Sequence, residues 1–239
     1  ELDYGNPDLK SQKRHNVELK YSNYGGKLGG ELSVGYSQSD NQITDFQFLQ
    51  DGILHSTYAN VGHNKSFDIG AWGEYEIISG MTFSAWVGAT YEDYRAKTLD
   101  NAKAHGWQTT VNLNYGYQMP WKLQFYAWGG LWTPWIDLQS KGSDTGYYYG
   151  MSITRSFLPG DKLRIGINAN NFLEGRYHGG YTTTGPGFRY AYSYDYRTWS
   201  VGIYLAYNFG SLRSDVRKTR SSVRNDDISS GSSNKSGGN

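Results

Sequence analysis

The stretch from Glu174 to Tyr196 contains the residue types that bind small organic ligands. Aromatic rings stack on sugars, peptides or chelates, and guanidinium groups add charge and further stacking. Two tryptophans elsewhere in the chain have the same potential. The candidate ligand contacts are Arg176, Tyr177, Tyr181, Arg189, Tyr190, Tyr192, Trp132 and Trp135. A second interpretation is that the tyrosines at every second position from 190 to 196 extend a β-hairpin, and that the tryptophans pack in an aromatic girdle at the membrane interface.

No pattern in the sequence predicts catalysis or metal binding. The five histidines lack metal-ligand spacing, and the nucleophile motif G-x-S-x-G is missing. Glu74, Glu76, Glu92 and Asp93 could act as paired carboxylates. We interpret them as lumen or rim charges, because we place them on the polar face of their strands. We therefore expect a protein that is not an enzyme and needs neither a metal nor a cofactor.

The composition excludes several classes of protein. Among 239 residues, 23 are Lys or Arg and 22 are Asp or Glu, and the net charge of +1 argues against a nucleic-acid partner. The chain has no cysteine, which excludes disulfides and thiol nucleophiles. It also has no apolar run of about eighteen residues, so no transmembrane helix is predicted.

Apolar and polar residues alternate through most of positions 15–209, which is the period of a half-buried β-strand. In the first such run, Val17, Leu19 and Tyr21 alternate with Glu18 and Lys20. Nine strands are predicted, at about 15–24, 28–48, 53–78, 81–97, 107–118, 121–138, 146–157, 162–173 and 195–209. Several exceed the ~5–6 residues of ordinary strands and suit the ~9–11 residues that cross a bilayer.

The connections between these strands alternate between short turns and mostly longer loops. Short turns fall at 24–27, 79–80, 119–120 and 158–161, and the other connections lie near 50 and at 99–106, 139–145 and 174–194. Outer-membrane β-barrels have this asymmetry, and their aromatic residues gather near the strand ends. The sequence thus predicts an all-β fold, an antiparallel transmembrane β-barrel. A soluble β-sandwich or barrel, which also alternates polar and apolar residues, is the alternative.

The chain divides into a barrel segment at 1–210 and a tail at 211–239. The tail has no aromatic residue, is rich in Ser and Gly, and has six basic residues against three aspartates. Such a composition buries too little apolar surface to offset the entropy of ordering. We predict a basic, disordered tail, which we place in the periplasm.

Nine strands is an odd number, and this has a topological consequence. The first strand would begin on the long-loop side and the last would end on the short-turn side. A bacterial barrel made from one chain normally has an even number of strands. Unpaired strand edges are not tolerated in lipid. The nine strands are therefore predicted to be part of a larger barrel.

Two short segments resemble a known family. Gly5-Asn6-Pro7-Asp8-Leu9-Lys10 followed by His15-Asn16-Val17-Glu18-Leu19 resembles the segment that leads from an outer loop into a descending strand in TonB-dependent receptors. Tyr207-Asn208-Phe209-Gly210 and the tail resemble the end of a Bacteroidetes-type outer-membrane β-barrel family, which is similar to those receptors. The resemblance implies a barrel of twenty-two strands with an N-terminal plug and a TonB box, neither of which this sequence contains.

On this resemblance we expect a receptor in the Gram-negative outer membrane for TonB-dependent uptake of a solute, with this chain as its C-terminal part. Its expected partners are the lipid bilayer and lipopolysaccharide, the missing plug and strands, the TonB complex and a surface lipoprotein. The segments 39–52, 95–106 and 174–196 are expected to contact the ligand. A passive porin-like or structural small barrel is the alternative function, and an outer-membrane barrel enzyme is a third.

Overall fold

A computed structural model describes residues 1–60, 62–96 and 102–209, so the predicted tail and part of the loop at 95–106 lie outside the described residues. The fold is all-β, as predicted. The strands are β1 (Leu2–Asp3), β2 (Lys13–Asn23), β3 (Leu28–Asp40), β4 (Ile43–Gln50), β5 (Ile53–Asn60), β6 (His63–Ile78), β7 (Met81–Ala96), β8 (Ala102–Met119), β9 (Leu123–Trp132), β10 (Ser140–Gly142), β11 (Gly146–Phe157), β12 (Leu163–Asn170), β13 (Arg176–Gly185), β14 (Phe188–Arg197) and β15 (Ser200–Tyr207). Two 3-10 turns cover Pro120–Lys122 and Pro159–Asp161. Within the described ranges, no helix is long and apolar enough to span a bilayer.

Nine long strands form one antiparallel sheet, in agreement with the predicted number. Its order is β2, β3, β6, β7, β8, β9, β11, β12 and β15. The strands nearest the centre are the longest, with 18 residues in β8 and 16 in each of β6 and β7. The short connections β2–β3, β6–β7, β8–β9 and β11–β12 all lie at the same end of this sheet, also as predicted.

Six further strands lie at the long-loop end, where the sequence-based strand limits are wrong. The predicted strand 28–48 divides into β3 and β4 at Asn41, whose φ is +58°, and 53–78 divides into β5 and β6. Asp51 and Gly52 both have positive φ, which forms the tight turn between β4 and β5. The predicted strand 121–138 ends at Trp132. Residues 174–196, predicted as a loop, form most of the hairpin β13–β14, which was the second interpretation of its tyrosines.

The two faces of the large sheet differ in chemistry. Residues that pair directly across antiparallel strands share a face. One such row contains Tyr21, Leu32, Ala71, Val87, Val111, Leu131 and Tyr147, all apolar or aromatic. The adjacent row on the other face includes Ser33, Gly70, Gly88 and Thr110. Asp93, which we placed on the polar face from the sequence, is in register with Lys65 and lies on the apolar face.

The apolar face is exposed instead of packed into a core. Ile203 is 81% exposed and Leu19 is 75% exposed. Among the described residues, Ala96 is the one apolar residue that is buried. Large apolar side chains at such exposure destabilise a protein in water, since each would gain about 1.5–3 kcal/mol from burial. The fold therefore requires an apolar solvent on this face, as the membrane prediction anticipates.

On the polar face, aromatic rings lie over glycines of the neighbouring strand. The Trp132 indole covers Gly146, its direct partner in register, and a β-carbon at Gly146 would overlap the ring. Trp128 lies over Gly150 in the same way, two rows nearer the short-turn end. The absent side chains leave room for the rings to lie flat against the sheet.

The nine-stranded sheet is open. In the described residues, β2 and β15 form its two edges and do not pair with one another. Both run from the long-loop end to the short-turn end, as expected for an odd number of antiparallel strands.

The two faces of the large sheet should tolerate the same added charge to different extents. Val111→Lys places an ammonium group in the apolar face near the middle of β8, and we expect it to lower the free energy of unfolding in lipid vesicles by about 2–4 kcal/mol. Thr110→Lys is the matched control, because Thr110 lines a polar-face groove of about 410 Å³. Its expected effect is under about 1 kcal/mol. Urea titrations that gave equal losses for both variants would contradict the assignment of the faces.

Candidate ligand-binding hairpin

The hairpin β13–β14 contains six of the eight predicted ligand contacts and separates them onto two faces. Its strands pair in register from Arg176 with Arg197 to Gly185 with Phe188. Pro186 and Gly187 form the turn, and Gly187 has a φ of +81°. The alternation of side chains along each strand puts the tyrosines on one face and the arginines on the other.

The first face is a continuous aromatic surface. Tyr181 is at its centre, with ring centroids 5.5 Å from Tyr192 and 6.1 Å from Tyr190. Tyr177 lies 6.0 Å from Tyr194, and neighbouring rings on β14 lie about 6 Å apart along the strand. These spacings are typical of favourable aromatic pairs. The members of this aromatic face are Tyr177, Tyr181, Phe188, Tyr190, Tyr192, Tyr194 and Tyr196.

Both predicted tryptophans contact the aromatic face. The Trp132 ring is 6.2 Å from Tyr177, and the Trp135 ring is 6.1 Å from Tyr181. Trp132 is on the polar face of the large sheet, in register with Gly146. The structure therefore brings together Tyr177, Tyr181, Tyr190, Tyr192, Trp132 and Trp135, and connects them to the polar face of the sheet.

The predicted arginines are not part of this aromatic surface. Arg176 is on the other face of the hairpin, where its Nη1 donates to Asp195 Oδ2 at 3.0 Å. Asp195 also lies 3.4 Å from the Nδ1 atom of His178. Arg189 is exposed on this second face, in register with Thr184. A ligand stacked on the tyrosines would therefore not contact these two guanidinium groups on the same surface.

Further aromatic residues on the polar face were not among the predicted contacts. Tyr148 has its ring 6.3 Å from Trp132, and its hydroxyl donates to Asn112 Oδ1 at 2.5 Å. Tyr126 stacks on Trp128 at 5.4 Å. Side chains alternate between the two faces of a strand, so the even-numbered positions of these residues on β9 and β11 place them on the polar face. The sequence shows this once the pairing of the two strands is known. Aromatic rings thus extend from the sheet to the hairpin tip.

Hydrogen bonds hold the hairpin in place. Strand β10 pairs with β13, and Ser140 Oγ lies 2.8 Å from Thr183 Oγ1, which is buried. The Gln139 side-chain amide forms two hydrogen bonds with the backbone of Gln47 in β4, each 2.9 Å long. At the tip, the Leu49 N–H donates to the Pro186 carbonyl at 2.9 Å. The segments 39–52 and 174–196 therefore touch, which no sequence pattern predicted.

The chemistry of the aromatic face is that of neutral rings with hydroxyl donors. Burial raises the pKa of Tyr177 and of Tyr181, with the neighbouring tyrosines adding to the shift. Their hydroxyls therefore stay protonated at neutral pH and can donate to a ligand. No group of three or more His, Asp or Glu residues in the described part of the chain could hold a metal ion.

Comparisons with known proteins give the family of the chain. A model of the outer membrane protein β-barrel family matches residues 1–207. No curated protein matches the chain. Among solved structures, the β domain of the Bordetella autotransporter Brka is similar at 15% identity, over 83% of this chain and 92% of that chain, with a TM-score of 0.24.

The raised pKa values predict how the hairpin responds to alkali. Folding favours the neutral phenol, so the stability that it contributes is complete below the ordinary tyrosine pKa of about 10 and is lost as the pH rises through the higher folded value. In ultraviolet difference titrations, the signal removed by Tyr177→Phe and by Tyr181→Phe should appear above about pH 10. A signal that appears below pH 10 would show that the rings are not buried against one another.

Proposed function

Because the chain belongs to the outer membrane protein β-barrel family, we propose that it forms part of a receptor barrel for solute uptake. The chain is a protein of the Gram-negative outer membrane. In the proposal, its apolar face contacts lipid, its polar face lines the lumen, and the long-loop end faces outward. Uptake depends on TonB, and the chain acts without catalysis and without a cofactor.

One observation carries the receptor proposal. The aromatic face of β13–β14 continues onto the polar face of the sheet through the contact between Tyr177 and Trp132. A ligand that stacks on the hairpin would thus meet further rings on the lumen side. Tyr192 is 53% exposed and available for such stacking. A non-selective pore has no need for an aromatic surface that connects its outer end to its lumen, so the surface favours a barrel that selects its solute.

The open sheet supports the view that this chain is one part of a larger barrel. Its edge strands β2 and β15 would leave backbone N–H and C=O groups unpaired in lipid, and each unpaired group costs several kcal/mol. Since β2 and β15 run in the same direction, pairing them would make one parallel contact in an otherwise antiparallel barrel. Additional strands, an N-terminal plug and a surface lipoprotein are the partners that we propose, in a barrel of twenty-two strands.

Cysteine pairing tests whether the chain closes on itself. The native chain has no cysteine, so introduced pairs give a clean background. We expect Leu19→Cys to form no disulfide within the chain with cysteines placed singly at Val201, Ile203 or Leu205 of β15. The control pair Val34→Cys and Ile69→Cys, in direct register between β3 and β6, should cross-link. A disulfide from β2 to β15 in native outer membranes would overturn the larger barrel and favour the small-pore alternative.

Uptake by cells tests the receptor role. Four labelled probes cover the ligand classes that aromatic surfaces bind: a ferric siderophore, a linear oligosaccharide, a short peptide and cobalamin. For the probe that is taken up, we expect the triple variant Tyr181→Ala/Tyr190→Ala/Tyr192→Ala to lose about tenfold in apparent affinity, equivalent to about 1.4 kcal/mol. An uncoupler that collapses the proton gradient should abolish the uptake, as TonB dependence requires.

The opposite face of the same hairpin provides the comparison. Arg176→Gln/Arg189→Gln should change the affinity less than twofold, because both side chains lie away from the tyrosines. A loss of affinity in the arginine variant alone would show that the ligand binds the second face of the hairpin. Uptake that persists with the uncoupler, and is equal in all variants, would replace the receptor by a passive pore.

A further inference from the structure

The apolar face of the large sheet changes to a charged surface at the long-loop end. Two successive rows of this face contain charged residues. The upper row is Lys13, Asp40, His63, Arg95 and Lys103, and the lower row is His15, Gln38, Lys65, Asp93 and His105. We call the basic side chains of these two rows the outer basic belt.

An aromatic row lies directly below the belt on the same face. It contains Val17, Tyr36, Phe67, Tyr91 and Trp107. The Tyr91 ring is 5.4 Å from Trp107 and 6.5 Å from His105, so side-chain contacts connect the aromatic row to the belt. Aromatic side chains mark the membrane–water interface in barrels of this kind.

The height of the apolar face places the belt in the headgroup layer. On β7, the apolar face extends from Met81 to Tyr91, ten residues further on. That is ~33 Å along the strand, or ~25 Å along the membrane normal at a tilt of ~40°, which matches the apolar band of outer-membrane barrels. Asp93 and Arg95 follow immediately. The belt therefore meets the outer leaflet where its polar headgroups begin.

The two rows contain more basic than acidic side chains, so positive charge remains after the aspartates are paired. Four Lys or Arg residues and three histidines face two aspartates. Each aspartate is already engaged: Asp93 lies 2.7 Å from Arg95 Nη2, and Asp40 lies 2.7 Å from His63 Nδ1. These hydrogen bonds lower the pKa of both carboxyl groups, so both are ionised at neutral pH.

Two lysines of the belt are available to an anion. Lys65 and Lys103 are exposed, and neither forms an ion pair with another described residue. Both line a cleft of about 440 Å³, together with Gln38, His63 and Arg95. The cleft is large enough for a phosphorylated sugar, and its wall holds three cationic side chains and one histidine against one carboxylate, that of Asp93, which is paired with Arg95.

We propose that the outer basic belt binds the phosphate groups of lipid A, the phosphorylated glycolipid anchor of lipopolysaccharide. Lysine and arginine form charge-assisted hydrogen bonds with phosphate oxygens. The acyl chains of the lipid would lie on the apolar rows below the aromatic row, while the phosphorylated sugar occupies the cleft. A free anion would use only the charges, whereas a glycolipid uses the charges and the apolar face together. This surface is separate from the aromatic hairpin, so it does not depend on solute uptake, but it rests on the proposed orientation in which the long-loop end faces outward.

Lipid binding to the full chain, purified in its native assembly in detergent, tests the proposal. The probes are bisphosphorylated lipid A, the same lipid after removal of its phosphates, and inorganic phosphate. We expect the dephosphorylated lipid to bind at least tenfold more weakly than the phosphorylated one. Millimolar inorganic phosphate should not displace the phosphorylated lipid. Native mass spectrometry and a fluorescence displacement assay both give the ratio.

The variant Lys65→Gln/Lys103→Gln should weaken the binding of bisphosphorylated lipid A at least tenfold. It leaves both ion pairs and the apolar face intact. Lys27→Gln/Lys162→Gln is the matched control, since it removes two lysines at the opposite, short-turn end of the sheet. Equal affinity of the belt variant and the native protein would overturn the proposal. So would an equal loss in the control, equal binding of the dephosphorylated lipid, or displacement by inorganic phosphate.

Discussion

The whole fold depends on one constraint, which is that a sheet in lipid must pair its backbone groups and still present an apolar surface. In this chain, every strand of the nine-stranded sheet between the edges β2 and β15 is paired with a neighbour on each side. The sheet presents an apolar surface by sending every other side chain to one face, where even Ile203 remains mostly exposed. Such a sheet has no packed interior to stabilise it in water. Its stability therefore comes from the surrounding lipid and from the contacts between adjacent strands.

The polar face is under a different constraint, because its bulky aromatic side chains have no core to pack into. Glycines on the neighbouring strands leave room for these rings. Trp132 covers Gly146 and Trp128 covers Gly150, so each indole lies flat on a neighbouring strand. This arrangement buries ring area while leaving the polar face open. It also positions Trp132 to meet Tyr177, which makes the sheet and the hairpin one aromatic surface.

The sequence predicted the large sheet well because period-two alternation and short turns are local properties. The nine strands of the large sheet and the side of the short turns agree with the prediction, whereas the six further strands at the long-loop end were not predicted as separate strands. The strand limits near Asn41 were wrong, because alternation continues through the break into β4. The Asp51-Gly52 turn was the signal for that extra hairpin. Arg176 and Tyr177 are consecutive in β13, so their side chains lie on opposite faces of the hairpin. The sequence would have predicted this if residues 174–196 had been recognised as strands.

What no local pattern contains is the contact between the two outer hairpins. The hairpin β4–β5 lies between β3 and β6 in the chain, and the hairpin β13–β14 lies between β12 and β15, so the Leu49 bond to Pro186 joins distant parts of the sequence. Gln139 belongs to a third segment, between β9 and β11, and lies 92 positions from Gln47. The reciprocal amide bonds between these residues, with the Leu49 bond to Pro186, brace an open sheet at its outer end. A ligand that stacks on Tyr181 would therefore contact the hairpin whose turn is hydrogen-bonded to β4. The aromatic face and the hydrogen bonds at the outer end therefore belong to the same hairpin.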